Sequence, residues 1–176
     1  LIWLSYSAAA TEESCLATGV MIMPQRNPLV TAKAVATLDR PSKGRMILGV
    51  GSGWLEEEFD ALGVSFDDRG DRTDEYLEAM RQAWSSDIAS YDGDFVSFSD
   101  VYSRPQPVNR HVPIVVGGHS KRAARRAGEL GDGFFPGRGN PQELSILFDH
   151  ARMCAEKCGR DPEALEFTAG GPTTAD

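Results

Sequence analysis

The chain alternates short apolar runs with longer segments whose apolar positions have helical spacing. A short apolar run bounded by turn residues predicts a buried strand, and apolar residues three or four apart predict one face of a helix. Five strands are predicted, at 15–23, 46–50, 113–118, 132–136 and 165–169. Six helices are predicted, at 2–14, 28–40, 55–62, 72–85, 120–130 and 141–159. This alternation indicates an α/β fold around a parallel sheet.

Local signals support two of the helix starts and one buried helix face. Asn27-Pro28 and Asn140-Pro141 each combine an N-cap residue with proline at the first helical position. In the helix at 72–85 the apolar residues share one face, which we expect to be buried. These residues are Tyr76, Leu77, Met80, Ala83 and Trp84.

Chain length bears on the architecture. A closed TIM (β/α)8 barrel usually takes ~250 residues, and this chain has 176. We therefore predict a partial TIM (β/α)8 barrel whose first two strands and last strand are missing from this chain. An open doubly wound sheet is the alternative. We expect a single domain over 1–176, truncated at both ends, with a hairpin and extended insertion at 86–112 around an Asp92-Gly93 turn.

Two of the predicted strands end in glycine. Gly49, Gly51 and Gly53 lie at alternate positions where the strand at 46–50 ends. Because glycine carries no side chain, a flat or charged group can approach the backbone there. Plain turn formation is the other explanation for these glycines. Trp54, which follows, either lines an aromatic pocket or belongs to the core.

The second glycine-ended strand runs into Gly117-Gly118-His119-Ser120 and then into a helix. Free backbone N–H groups and the helix dipole make such a turn a candidate phosphate site. Ser120 adds a hydroxyl donor or serves as a simple N-cap. His119, the candidate for a catalytic residue, either titrates or serves in capping or hydrogen bonding. Since parallel strands place their active sites at their carboxyl ends, one ligand site shared by several strand ends is expected.

Charge and cysteine content narrow the function classes. The net charge is −8, from 18 basic and 26 acidic residues, which disfavours nucleic acid as a partner. We expect the one basic cluster to be a solvated helix face; it comprises Lys121, Arg122, Arg125 and Arg126. No apolar run approaches the ~20 residues that span a bilayer, so no membrane partner is expected. Three cysteines indicate a reducing cytoplasm.

Few groups in the chain suit acid–base or metal chemistry. Cys154 and Cys158 share a helix face, but no further ligands accompany them, so we expect ordinary thiols and no metal site. The sequence shows neither a Ser–His–Asp order nor a Walker loop. An organic cofactor is therefore the natural carrier of any chemistry on a small-molecule substrate.

Several segments, in order along the chain, carry a resemblance to a known family. They are Thr18-Gly-Val-Met-Ile-Met-Pro24, Asn27-Pro-Leu-Val-Thr-Ala-Lys33, Ala36-Thr-Leu-Asp-Arg40, Gly44-Arg-Met-Ile-Leu-Gly-Val-Gly-Ser-Gly-Trp54, 69–76, Pro113-Ile-Val-Val-Gly-Gly118 and Gly131-Asp-Gly-Phe134. The chain resembles the luciferase-like monooxygenase superfamily over nearly its whole length. Within it, the chain is most similar to the branch of coenzyme F-420 (deazaflavin)-dependent oxidoreductases.

The resemblance implies a barrel of the bacterial luciferase-like type that binds coenzyme F-420 or, as the alternative, FMN. It implies either hydride transfer between cofactor and substrate or a reaction that uses reduced flavin and oxygen. Gly19–Val20 matches a position where a non-proline cis peptide forms a bulge behind the cofactor ring. Gly51, Ser52 and Gly53 match the loop beside the ring. The cofactor's phosphate site is matched by Gly117, Gly118, His119 and Ser120.

The resemblance does not identify the catalytic residue. Some deazaflavin dehydrogenases carry a glutamate acid where this chain has Trp54, so the catalytic residue is unknown. A catalytically silent cofactor-binding or structural relative on the same scaffold is therefore the alternative function. Family members are commonly homodimers, for which the helix at 28–40 is a candidate contact.

Overall fold

The computed structural model describes residues 1–170. The chain forms two compact units, Leu1–Val112 and Pro113–Asp176. A single domain over 1–176 stays a prediction.

The first unit is built around a parallel strand arrangement. The strand β3 pairs in parallel with both β1 and β2, through Leu16↔Met46 and Met21↔Val50. Its elements are α1 (Ile2–Ala10), β1 (Leu16–Ala17), β2 (Met21–Ile22), α2 (Pro28–Asp39), β3 (Met46–Gly51), α3 (Glu56–Leu62), α4 (Arg69–Ser85), β4 (Ala89–Asp92) and β5 (Ser97–Val101).

The continuous strand predicted at 15–23 is wrong. From Leu16 to Met21 the chain takes five steps where β3, from Met46 to Val50, takes four. One extra residue is therefore accommodated in a bulge, which interrupts the ladder. The bulge contains the Gly19–Val20 peptide, which is cis as the resemblance implied. The Thr18 hydroxyl ties it to β3 by donating to the Gly49 carbonyl at 2.7 Å.

The helices α2 and α4 supply the core of the first unit. The predicted apolar face of α4 is buried, with Leu77 and Met80 at 0% exposure. The indole N–H of Trp84 donates to the Ala32 carbonyl of α2 at 3.0 Å. The helix begins at Arg69, three residues before the predicted start. The prediction missed this first turn because its residues are polar and show no apolar periodicity. Asn27 caps α2 as predicted by accepting from the Val30 N–H at 3.1 Å.

The helix α1 ends at Ala10, short of the predicted residue 14. The guanidinium of Arg45 binds carbonyl groups beyond that point: it donates to Thr11 O at 3.0 Å and to Ser14 O at 2.8 Å. It also donates to the Ala8 carbonyl at 3.0 Å. Arg45 thereby supplies partners for three carbonyl groups at and beyond the end of the helix.

The predicted hairpin is confirmed, but its turn is not a two-residue Asp92-Gly93 turn. Asp92 pairs with Ser97 in the antiparallel β4–β5 ladder, so four residues, 93–96, form the loop. One carboxylate organises this loop. Glu75 of α4 accepts from the N–H groups of Asp94, Phe95 and Val96 at 2.9, 2.8 and 2.7 Å.

The second unit repeats the strand–helix pattern. β6 pairs in parallel with β7, and β7 with β8. Its elements are β6 (Ile114–Gly117), α5 (Lys121–Leu130), β7 (Gly133–Phe135), α6 (Pro141–Lys157), a short 3-10 helix (Pro162–Ala164) and β8 (Glu166–Phe167). The helices α5 and α6 pack closely at Gly128, where an added Cβ would lie 2.2 Å from the Ala151 carbonyl oxygen. Asn140 caps α6 in a capping box with Glu143.

Candidate functional site

In the first unit the candidate site residues lie at the carboxyl end of β3. The glycines there are required by the chain itself. A Cβ on Gly49 would lie 1.9 Å from the Thr18 carbonyl oxygen, and one on Gly51 would lie 3.0 Å from Val20 Cγ2. A Cβ on Gly53 would lie 2.7 Å from the Phe59 ring. These glycines were predicted to leave the backbone open to a ligand. The structure instead requires glycine there because the bulge and α3 pack closely against them.

The open backbone in this unit lies on the bulge instead. Gly19 is exposed, and a Cβ added to it would meet no atom within 4 Å. Val20 is half-buried, with its methyl groups against Gly51. A flat apolar group can therefore approach Gly19 and Val20 without displacing side chains.

Arg69 holds the loop that contains Ser52 and Gly53. Its Nε donates to the Gly53 carbonyl at 3.3 Å, and Nη1 donates to the Phe66 carbonyl at 2.8 Å. The guanidinium also lies 3.7 Å from the centre of the Phe66 ring, a cation–π geometry. Trp54, next in the chain, is 81% exposed, which rules out the core alternative.

In the second unit the candidate site lies at the carboxyl ends of β6 and β7. Gly117 pairs with Phe135, and the Gly118 N–H donates to the Phe135 carbonyl at 3.1 Å. Gly118 has a φ of +134°, and an added Cβ would lie 2.9 Å from Ala123 Cβ. Glycine is therefore needed for α5 to begin this close to the strand end.

The turn after Gly118 exposes the start of α5. Ser120 is the N-cap, and its hydroxyl oxygen accepts from the Ala123 N–H at 3.3 Å. Both roles predicted for Ser120 remain compatible, because an accepting hydroxyl keeps its own hydrogen to donate. The first N–H groups of a helix lack intrahelical partners and carry the positive end of its dipole, so this turn suits an anion.

The basic cluster on α5 is only partly the solvated face that was predicted. Lys121 and Arg122 are exposed, beside the helix start. Arg126 is buried at 5% exposure, and Arg125 pairs with Glu129. The burial follows from helical spacing, since Arg126 lies three residues after Ala123 and shares its buried face.

Sequence reasoning missed Arg138. It follows β7 by three residues, and its Nη2 donates to Nε2 of His119 at 2.7 Å. The contact joins the loop after β7 to the loop after β6. His119 therefore makes a hydrogen bond, one of the two roles predicted for it. The available signal was an arginine between two glycines just past a predicted strand, Gly137-Arg138-Gly139.

The three cysteines are free thiols. Cys154 is buried within α6, whereas Cys15 and Cys158 are exposed. Burial raises the pKa of the Cys154 thiol. Within residues 1–170, no group of three or more His, Cys, Asp or Glu side chains is placed to hold a metal ion.

Comparison with known proteins gives one family for the whole chain. A family model described as luciferase-like monooxygenase matches residues 1–176. The uncharacterized protein Rv0953c of Mycobacterium tuberculosis is 43% identical over 117 residues, covering 65% of this chain and 42% of that protein. The FMNH(2)-dependent dimethylsulfone monooxygenase of Pseudomonas putida is 30% identical over 162 residues, covering 90% of this chain and 45% of that protein.

A solved structure has the same fold. An F420-dependent secondary alcohol dehydrogenase in complex with an F420-acetone adduct superposes with a TM-score of 0.87 at 26% identity, covering 96% of this chain and 52% of that one. The match confirms the predicted α/β class with a mostly parallel sheet and a partial barrel of the luciferase-like type. The chain spans about half the length of these relatives. None of the helices within residues 1–170 has the length and apolar character needed to cross a membrane.

Proposed function

The chain belongs to the luciferase-like monooxygenase family, and from this we propose that the protein is a flavin- or deazaflavin-dependent oxidoreductase. It transfers hydride between the reduced cofactor and a small organic substrate, with oxygen as a possible co-substrate. Coenzyme F-420 is the first choice of cofactor and FMN the alternative. The relatives include both an FMNH(2)-dependent and an F420-dependent enzyme.

The observation that carries the proposal is the turn between β6 and α5. Gly117 and Gly118 end a strand, and Ser120 caps a ten-residue helix directly after it. Exposed Lys121 and Arg122 add positive charge beside the helix start. These residues fit a phosphate group, which both candidate cofactors carry, because N–H groups, a hydroxyl and a helix dipole all favour an anion there.

On the first unit, we assign the ring contact to Gly19, Val20 and the loop Gly51, Ser52 and Gly53. The open surface at Gly19 and Val20 supports this assignment. Gly51 and Gly53 take part by letting the bulge and α3 pack closely. When bound, the cofactor supplies the hydride chemistry. The protein's contribution is to hold the ring and phosphate and to exclude water.

The catalytic residue stays open. Trp54 occupies the place of the glutamate acid in some deazaflavin relatives, and an indole has no acidic proton to give. His119 is a weak candidate, because its Nε2 accepts from Arg138 and so faces a permanent cation. This arrangement favours a role in anion binding.

Equilibrium titration with coenzyme F-420 and with FMN tests the proposal. We expect micromolar or tighter binding of F-420 and weaker binding of FMN. Replacing Gly117 by leucine should weaken both, by blocking the phosphate. If the unaltered protein binds neither cofactor, the proposal is wrong.

The alternative is a catalytically silent cofactor-binding relative, favoured by the unassigned catalytic residue. It predicts the same titrations but no turnover: reduced F-420 is not oxidised by small ketones, oxidised F-420 is not reduced by small alcohols, and reduced FMN with oxygen does not convert small sulfones. Turnover of any of these substrates rules it out.

Further expectations follow from the family and from charge. We propose a cytoplasmic protein that acts on a small molecule, binds neither nucleic acid nor membrane, and forms a homodimer. The candidate contact is α2, on which Val30 is apolar and 69% exposed, so a charge can be introduced there without disturbing the core. Sedimentation equilibrium of the unaltered protein and of Val30→Glu tests this: a monomer in both excludes the dimer.

A further inference from the structure

Arg138 makes an unusual contact for an exposed arginine. Its guanidinium donates to a histidine ring nitrogen, His119 Nε2, at 2.7 Å. In the part of the chain that the structure describes, no carboxylate pairs with it. An arginine has five N–H donors and cannot accept, so His119 Nε2 is the acceptor in this contact. Most of the guanidinium's donors remain available.

The Arg138–His119 pair lies beside the turn that begins α5, which is the candidate anion site. His119 immediately precedes the N-cap Ser120, and Arg138 lies in the neighbouring loop after β7. β6 and β7 are paired at Gly117 and Phe135, so both loops leave the same sheet edge. The guanidinium is therefore held beside a turn that already favours an anion. Because the chain has a net charge of −8, this exposed cation is not part of a generally basic protein.

We infer that Arg138 is a specificity-determining residue that binds the cofactor's phosphate group, and that His119 positions it. This inference rests on the proposed function and adds a residue to that site. The planar guanidinium suits phosphate oxygens because two of its N–H groups can donate in parallel. His119 holds the guanidinium through a ring nitrogen and not through a carboxylate, so no acidic side chain in this contact offsets the positive charge that the ligand meets.

Two ligand pairs separate the phosphate from the ring. FMN and riboflavin differ by a phosphate monoester, and coenzyme F-420 differs from its phosphate-free deazaflavin chromophore by a phosphodiester and its tail. Arg138→Ala should lower the affinity for FMN or F-420 by about tenfold to a hundredfold, the range for a lost charge-assisted hydrogen bond. Binding of riboflavin and the free chromophore should not change. If Arg138→Ala weakens only FMN, the site binds a phosphate monoester; if it weakens only coenzyme F-420, the site binds a phosphodiester.

Arg40→Ala is the matched control. Arg40 is an exposed arginine at the C-terminal end of α2, and its removal changes the net charge equally. We expect unchanged affinity for all four ligands. Thermal unfolding of each variant checks that the fold is retained.

The positioning role of His119 needs its own variants. His119→Ala should weaken phosphate-ligand binding less than Arg138→Ala, and should have no further effect when Arg138 is already alanine. His119→Gln should restore binding, because the amide oxygen can accept from Arg138 as the imidazole does.

The outcomes are distinguishable. If the unaltered protein binds none of the four ligands, both the proposed function and this inference are overturned. If it binds the phosphate-bearing and phosphate-free ligands equally well, or if Arg138→Ala weakens both members of a pair alike, the cofactor site stands and the role of Arg138 is refuted. Additive effects of the His119 and Arg138 changes refute the positioning role.

Discussion

Replacing Glu75 by glutamine should loosen the tip of the β4–β5 hairpin while leaving the rest of the first unit folded. The Glu75 carboxylate accepts from three consecutive backbone N–H groups, with Oε2 bound to Asp94 and Oε1 to both Phe95 and Val96. Glutamine has the same shape but only one acceptor oxygen. Its NH2 group would face the Asp94 N–H, donor against donor.

The size of the effect follows from these contacts. A hydrogen bond to a charged group contributes ~1.5–3 kcal/mol and a neutral one ~0.5–1.5 kcal/mol. One bond is lost and two lose their charge assistance. Because the Asp94 bond is exposed and such contributions are not additive, we expect a local loss of about 2–4 kcal/mol. This corresponds to a roughly 30- to 900-fold faster amide exchange at residues 94–96.

Hydrogen exchange measured by NMR gives this quantity residue by residue. Glu78→Gln is the control on the same helix, since Glu78 Oε2 accepts from the Tyr91 hydroxyl at 2.9 Å and not from the loop amides that Glu75 binds. It should leave the amides of 94–96 unchanged. Equal exchange at 94–96 in Glu75→Gln and in the unaltered protein would refute the assignment of Glu75 as the anchor of the loop.

Three further predictions concern packing, pH and thiol reactivity. Gly49→Ala should lower the free energy of unfolding by at least ~2 kcal/mol in chemical denaturation, because the new Cβ would collide with the Thr18 carbonyl; a loss under ~0.5 kcal/mol contradicts this. Hydrogen bonds from Arg72 lower the pKa of Asp68 below 3.8. Above that pH the unaltered protein should be about 1 kcal/mol more stable than Asp68→Asn. This difference should vanish as the pH falls through the lowered pKa. A difference between these two proteins that persists at about pH 2 argues against it. A thiol reagent should modify Cys154 much more slowly than the two exposed cysteines until the protein is unfolded, because burial raises its pKa and blocks access; equal rates in the native protein would refute that.

Hydrophobic pattern was sufficient for most elements of the fold. The buried face of α4 and the caps at Asn27 and Asn140 were predicted, because each depends on residues near in sequence. The bulge between Leu16 and Met21 was not, since the run at 15–23 is apolar on both sides of Gly19. Only the pairing with β3 shows that one residue is left over there.

The candidate site shows the same division between local and non-local information. The N-cap at Ser120 was predicted from adjacent residues and is observed, whereas the anion site from Gly118 to Ser120, predicted from the same residues, stays a prediction. Arg138 was missed because its significance depends on His119, 19 residues away in sequence. The hairpin loop at 93–96 is similar: its length depends on Glu75 of another element.

The central claim is that the turn at the start of α5 binds the phosphate of a flavin-type cofactor. Amide hydrogen exchange with and without saturating FMN or coenzyme F-420 tests it most directly. We expect slower exchange at 118–122 and at 137–139 when cofactor is bound, and unchanged exchange in the hairpin loop at 93–96. Cofactor binding with no protection at 118–122 would contradict the account.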